Sequence, residues 1–336
     1  MGIGLNKVYF IDNLELLKQM DNNSVDLIYC DILYNTGRKF KDYNDNLGSP
    51  QQAIEWYRPR LIEMKRVLKN TGSVYLQCDY RLVHYLKVEM DNIFGIKNFK
   101  SEIIWKKTTK NTNSKNYGSE YDSILFYAKD NNHTFNQAYK EIKDTELISK
   151  YIYLEKENGE IIKLNKNQKI GIEEIPKGRI FRGVPLTNMN KNRPNLEYEF
   201  LGYTRVWAVK EEAMKELQEN GLIFQIDGGV PQKKGYLDEN KGVKVNDLWI
   251  DINPINSQAK ERVGYDTQKP KALLERIIKA SSNEGDVVAD FFCGSGTSLV
   301  VAKELGRKYI GCDINQRAID ITNKRLEDVE RINSIP

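Results

Sequence analysis

Two clusters of residues in this chain have the types and spacing that chemistry would need. The first is Asp290-Phe-Phe-Cys-Gly-Ser-Gly-Thr297. Gly294 and Gly296 carry no Cβ, so the backbone can pass close to a ligand. A helix starting after them would offer free N–H groups to a polar or anionic group. Asp313 follows at the roughly 20 residues where doubly wound folds place a carboxylate on ribose hydroxyls. Loop and carboxylate together predict a nucleotide-type cofactor, whereas the loop alone fits any strand–turn–helix. The second cluster is Asp31-Ile-Leu-Tyr34, a carboxylate, a backbone carbonyl and an aromatic ring in one tetrapeptide. Taken singly, Asp31 reads as a strand-end cap and Tyr34 as a ring at the edge of the core.

The elements that must position these clusters follow from hydrophobic periodicity. Val287 to Phe292 is an apolar run rich in β-branched and aromatic residues, which predicts a buried strand. Leu299, Val300, Val301 and Leu305 recur at helical spacing up to Gly306, and Lys308 to Asp313 predicts the next strand. Near the N-terminus, Lys7–Asp12 and Val25–Asp31 read as strands that both end on a carboxylate, with a helix from Asn13 to Met20 between them. Further strands are predicted over Ser73–Asp79, Phe99–Trp105 and Ser123–Ala128, and helices over Ile54–Leu68, Leu82–Ile93 and Ala272–Ala280. This alternation predicts an α/β fold, a mostly parallel doubly wound sheet with helices on both faces. Such sheets bind ligands at the carboxyl ends of their strands, where Asp31 and the glycine loop both fall.

Between about His133 and Asp247 the periodicity weakens, and Lys, Asn and Glu dominate. Phe200, Tyr203 and Trp207 read as exposed aromatics near Arg205 and Lys210, and Asp247–Asp251 as a last strand of this insertion. A solvated face and a nucleic-acid contact region, with Lys and Arg on phosphates, both fit this composition.

The chain has 336 residues, enough for two domains or one with a large insertion. Its formal charge of +4 permits a polyanionic partner without requiring one. Cys30, Cys78, Cys293 and Cys312 fall in or beside strands with no CxxC pair, so buried free thiols are expected. His84 and His133 are too few and too far apart to suggest a metal site. No apolar run of about 18 residues predicts a membrane span, and the N-terminus lacks a signal-peptide pattern, so a cytoplasmic location is expected.

Three stretches together resemble the β-class amino-group DNA methyltransferases, including type III modification subunits and their solitary relatives. Asp31-Ile-Leu-Tyr34 is similar to their Asp-Pro-Pro-Tyr tetrapeptide, with Ile32 and Leu33 where that family has two prolines. Asp290 to Thr297 resembles their S-adenosyl-L-methionine (SAM) loop, and Thr267-Gln-Lys-Pro270 the element preceding it. The order of tetrapeptide, recognition region and SAM loop is that of the β arrangement. The resemblance implies a seven-stranded Rossmann-like methyltransferase sheet. Its catalytic half would cover residues 1–132, its recognition insertion 133–250 and its SAM-binding half 251–336.

It further implies that Asp31 and the Ile32 carbonyl accept hydrogen bonds from the target amino group, while Tyr34 stacks on the flipped base. Asp290, Phe291, Cys293, Gly294, Gly296 and Thr297 would surround SAM, Asp313 would hold its ribose and Ile314 would pack on its adenine. Lys269 would meet the methionine carboxylate, and Asp12 would lie near the adenine. Phe40, Tyr43, Arg193 and Arg205 are candidate DNA contacts. Implied partners are double-stranded DNA, a second copy of the chain and a restriction subunit. Asp at position 31 favours adenine N6, with cytosine N4 and a weakened SAM- and DNA-binding relative as alternatives.

Overall fold

Along Val25–Asp31, Leu27 and Tyr29 point to one side and Ile28 and Cys30 to the other, and all four are buried. A strand apolar on both faces must lie inside a sheet covered by helices on each side. The computed structural model describes residues 3–39, 43–107, 115, 117–142, 147, 149–226, 228–256 and 258–333. The chain forms two units, residues 1–138 with 245–336, and residues 139–244.

The first unit is built from β1 (Lys7–Phe10), α1 (Asn13–Gln19), β2 (Val25–Asp31), α2 (Pro50–Val67), β3 (Leu68–Cys78), α3 (Val83–Phe94), β4 (Phe99–Lys106) and β5 (Tyr121–Ala128). After residue 245 come β6 (Leu248–Trp249), α4 (Lys271–Ser281), β7 (Val287–Asp290), α5 (Thr297–Glu304), β8 (Lys308–Asp313) and α6 (Gln316–Asn333). The strands form one eight-stranded sheet in the order β1-β8-β7-β2-β3-β5-β4-β6. All pairings are parallel except those of β5, which runs antiparallel to both β3 and β4.

Helices α1–α3 cover one face, packing Leu16, Leu17, Tyr57, Leu61 and Leu86 on Ile28, Cys30, Val74 and Leu76. Helices α4–α6 cover the other, packing Leu274, Ile277, Val300 and Leu326 on Leu27, Tyr29, Tyr75 and Val288. The expected mostly parallel sheet with helices on both faces is thus present. The short edge strand β6 adds to the seven expected.

That strand corrects one expectation. Leu248–Trp249 does not close the insertion. It pairs in parallel with Ile104 and Trp105 of β4, and the Trp249 ring is buried in the core beneath α4. Burial of a large ring there outweighs the polar character of its neighbours.

The second unit, residues 139–244, begins and ends on a short antiparallel pairing of Tyr139–Lys140 with Val243–Lys244. It contains a five-stranded antiparallel sheet in the order Ile161–Lys163, Tyr153–Lys156, Gly178–Pro185, Gln232–Tyr236, Ile223–Phe224. A hairpin, Glu197–Phe200 with Tyr203–Val206, and the helix Glu211–Glu219 complete it. Phe200 and Trp207 are not exposed, contrary to expectation. They form a small core with Leu186 and Met214, and Trp207 Nε1 donates to the Tyr198 carbonyl at 2.9 Å. A small unit rich in Lys and Asn must draw its apolar area from aromatics. Among the described residues no helix is long and apolar enough to cross a membrane.

Candidate active site

β7 and β2 are adjacent and parallel, and their carboxyl ends carry the two clusters singled out in the sequence. A cavity of about 530 Å³ opens there, lined by Asp31, Tyr34, Lys269, Asp290, Gly294 and Asp313 among others. Its size lies within the usual range for small-molecule sites.

On the β7 side the chain turns at Gly294 (φ +50°) and Gly296 (φ +70°), in the left-handed region that only glycine enters cheaply. A Cβ on Gly296 would lie 2.3 Å from Thr322 Cγ2, and one on Gly294 would lie 3.2 Å from the Tyr265 ring. The loop is held by Gly294 N–H, which donates to Asp313 Oδ2 at 2.9 Å, and by Thr322 Oγ1, which donates to the Gly294 carbonyl at 3.1 Å. Asp313 Oδ1 accepts from Asn315 N–H at 2.9 Å, so this carboxylate is fixed at the end of β8. Burial raises the Asp313 pKa, and the N–H bonds oppose that rise.

Asp290 is 3% exposed and accepts from Phe292 N–H at 3.0 Å and from the Ser298 hydroxyl. Burial pushes its carboxyl up to about 7 against those bonds. These groups suit a nucleoside with polar ends: a fixed carboxylate for hydroxyls, a close glycine backbone and apolar walls at Trp56, Phe292 and Ile314.

Of the residues predicted around SAM, Asp12, Lys269, Asp290, Cys293, Gly294, Thr297, Asp313 and Ile314 line the cavity. Phe291 and Gly296 do not. Phe291 is buried in the core under α1–α3, and the alternation of side chains leaves Phe292 on the cavity. Gly296 sits behind the loop against Thr322. Asp12 caps α1 through Leu14 N–H at 2.9 Å and pairs with Arg60 at 3.1 Å. Arg60, which the sequence did not single out, is buried. It also donates to Asn13 Oδ1 at 2.6 Å and lies 3.4 Å over the Trp56 ring.

On the β2 side, Asp31 stands at the strand end. Ile32 N–H donates to the Gln77 carbonyl at 3.2 Å, its side chain is buried, and Tyr57 OH donates to the Leu33 carbonyl at 2.8 Å. Packing and hydrogen bonds therefore hold the turn that prolines would otherwise stiffen. Among the described residues nothing donates to the Ile32 carbonyl. Downstream, the buried Asp45 accepts from Asn35 N–H at 2.9 Å, Thr36 N–H at 3.0 Å and Thr36 Oγ1 at 2.6 Å, fixing the loop after Tyr34.

Lys269 reaches the β2 side of the cavity. Its ammonium pairs with Asp31 Oδ2, across 238 residues of sequence. Burial raises the Asp31 pKa, and Lys269 lowers it. The Tyr34 hydroxyl lies 2.8 Å from Asp31 Oδ1 and 3.0 Å from Asp122 Oδ2. Asp122 is a buried residue of β5 that periodicity gave no reason to select. It also accepts from Gln77 Nε2 at 3.1 Å and from Lys107 Nζ at 2.5 Å.

Tyr43 lines the same cavity, whereas Phe40 lies outside the described residues. Arg193 and Arg205 belong to the second unit, are exposed, and meet no carboxylate among the described residues. The four cysteines are buried and free.

A doubly wound sheet with a glycine loop, a fixed strand-end carboxylate and an Asp-x-x-Tyr turn at neighbouring strand ends fits a Rossmann-like methyltransferase. The chain belongs to the DNA methylase family (N6_N4_Mtase), whose profile matches residues 25–324. It is thus a SAM-dependent DNA methyltransferase acting on adenine N6 or cytosine N4.

It is 30% identical over 330 residues to the type II methyltransferase M.EcaI of Enterobacter cloacae, covering 96% of this chain and 69% of that protein. It is 28% identical to the DNA adenine methyltransferase YhdJ of Escherichia coli K12, covering 94% and 81%. The StyLTI Mod subunit of a Salmonella typhimurium type III restriction-modification enzyme is 29% identical, and this chain spans 52% of its length. In fold it is similar to TTHA0409 of Thermus thermophilus, solved with S-adenosyl-L-methionine, at a TM-score of 0.50 and 15% identity, covering 96% of this chain and 93% of that one.

Proposed function

We propose that this chain methylates the exocyclic N6 amino group of adenine in double-stranded DNA, on a base turned out of the helix. The observation that carries this reading is that Asp31 and Ile32, whose carbonyl accepts no hydrogen bond among the described residues, line the same cavity as the glycine loop and Asp313. When bound, SAM supplies an electrophilic methyl. The amine would take that methyl while sulfur kept the C–S electron pair, and Asp31, which accepts one of the amine hydrogens, would take the proton released.

The lone pair of an aromatic amine is delocalised into its ring. Two acceptors on its hydrogens, Asp31 and the Ile32 carbonyl, draw it out of conjugation and aim it. That is positioning and preorganised electrostatics, with no nucleophilic side chain. Tyr34 supplies a ring face for a base that has left the stack, and Tyr43 adds a further wall. Asp313 would hold ribose hydroxyls, Lys269 the methionine carboxylate and Ile314 the adenine face.

Asp rather than Ser at position 31 supports adenine over cytosine. Arg193 and Arg205, exposed and paired with no carboxylate among the described residues, suit phosphate contact within residues 133–250 as the recognition region. A second copy of the chain and a restriction subunit complete the proposed partners.

The test is transfer of labelled methyl from SAM to unmethylated mixed-sequence DNA, with the product nucleoside identified. N6-methyladenine, lost in Asp31→Ala, is the expected result. N4-methylcytosine would reassign the base. SAM binding without transfer would make this a weakened relative.

A further inference from the structure

Both oxygens of Asp31 are occupied in this structure. Oδ2 holds the Lys269 ammonium, and Oδ1 holds the Tyr34 hydroxyl at 2.8 Å. An amine that approaches Asp31 Oδ1 competes there with the Tyr34 hydroxyl. The Tyr34 hydroxyl has a single proton to donate and a second acceptor in reach, Asp122 Oδ2 at 3.0 Å.

Asp122 is built to stay in place. Its side chain is 3% exposed, and Lys107 Nζ at 2.5 Å and Gln77 Nε2 at 3.1 Å donate to it. Gln77 is itself oriented by Tyr29, whose hydroxyl donates to Gln77 Oε1 at 2.7 Å. Asp122 is therefore a fixed, charge-compensated acceptor whether or not Tyr34 donates to it.

Resting on the reading of Asp31 as acceptor of the target amine, we propose that Asp122 is a positioning residue for methyl transfer. It takes the Tyr34 hydroxyl when the amine claims Asp31 Oδ1. Without it, the half-buried Tyr34 hydroxyl has Asp31 as its one side-chain acceptor among the described residues and keeps competing with the amine.

The test is single-turnover methyl transfer to DNA, counting methyl on either base, in wild type, Asp122→Asn, Tyr34→Phe and the double variant. SAM affinity and thermal melting are measured beside it. In Asp122→Asn, Lys107 keeps the amide oxygen and the amide nitrogen turns to Tyr34, so the hydroxyl proton stays on Asp31. We expect the transfer rate of Asp122→Asn to fall roughly 10- to 100-fold, the worth of a hydrogen bond to a charged group, with SAM affinity unchanged. Adding Tyr34→Phe removes the competing hydroxyl, so the double variant transfers faster than Asp122→Asn alone.

Rates in Asp122→Asn equal to wild type overturn the proposal, as does a double variant no faster than Asp122→Asn. If Asp122→Asn does not fold, Asp122→Ala, which leaves Tyr34 no acceptor but Asp31, is read against Asp122→Ala/Tyr34→Phe by the same criteria. Wild-type protein that transfers nothing to DNA removes the reading of the site, and the proposal with it. Transfer by wild type and by Asp122→Asn alike removes the proposal alone.

Discussion

The Lys269 ammonium is paired with Asp31 Oδ2 at the mouth of β2. A cation proposed for the methionine carboxylate is thus paired with the acceptor proposed for the target amine. Both ends of the pair are largely shielded, at 13% and 18% side-chain exposure, so the interaction is little screened.

Removing either partner should therefore act in opposite directions on the cofactor. In Lys269→Ala, SAM affinity should fall by roughly 10- to 100-fold, the worth of a hydrogen bond to a charged group. In Asp31→Ala, affinity should hold or improve while methyl transfer is lost. Titration calorimetry measures both, and SAM affinity weaker in Asp31→Ala than in wild type would exclude this exchange of partners.

Gly296→Ala should destabilise the fold by about 1–3 kcal/mol. The φ of +70° and the 2.3 Å approach to Thr322 Cγ2 both oppose a side chain there. Adding Thr322→Ser removes the Cγ2 contact but leaves Oγ1 at 2.5 Å and Cβ at 2.8 Å, so it should recover a fraction of the steric part and none of the backbone part. Thermal unfolding of the two variants separates them, and a Gly296→Ala protein as stable as wild type would disprove the close approach.

The raised Asp290 pKa predicts a pH trend. Its carboxyl shifts from an ordinary value of 3.8 to about 7 on folding, so the folded state holds the proton more tightly than the unfolded chain. The stabilisation is complete below pH 3.8 and is lost as pH rises toward about 7. The melting temperature of wild type minus that of Asp290→Asn should decline across this window. A difference that is flat or rising with pH would contradict the assignment.

Tyr57→Phe removes the only side-chain bond to the Leu33 carbonyl among the described residues. With Ile and Leu in place of two prolines, that bond carries part of the rigidity of the turn after Asp31. The rate of methyl transfer should drop several-fold while SAM affinity stays unchanged. Equal losses in both would point to a general loss of packing around α2.

Binding to non-specific duplex should weaken as salt rises. Arg193→Ala and Arg205→Ala should each lower the slope of log affinity against log salt by about one. Slopes unchanged from wild type would remove these two arginines from the DNA contact.

The sequence alone determined much of this protein because its strongest signals are local. Gly294 and Gly296 between a β-branched run and a helical repeat specify a strand–turn–helix, since the backbone there needs positive φ. The spacing to Asp313 and the position of Asp31 at the end of an apolar run place both carboxylates at strand ends. Tertiary structure decided what depends on pairing between distant strands. Asp122 reaches Tyr34 across 88 residues because β5 runs antiparallel beside β3, and no period in the chain states that. Arg60 meets Asp12 and Asn13 only once α2 lies against α1. Trp207 read as an exposed aromatic and Trp249 as part of a last strand of the insertion, but burying a ring is worth more than the character of its neighbours, so each entered a core. The pairing of Lys269 and Tyr34 with the two oxygens of Asp31 is likewise a property of the folded site, set by which oxygens lie within hydrogen-bond reach.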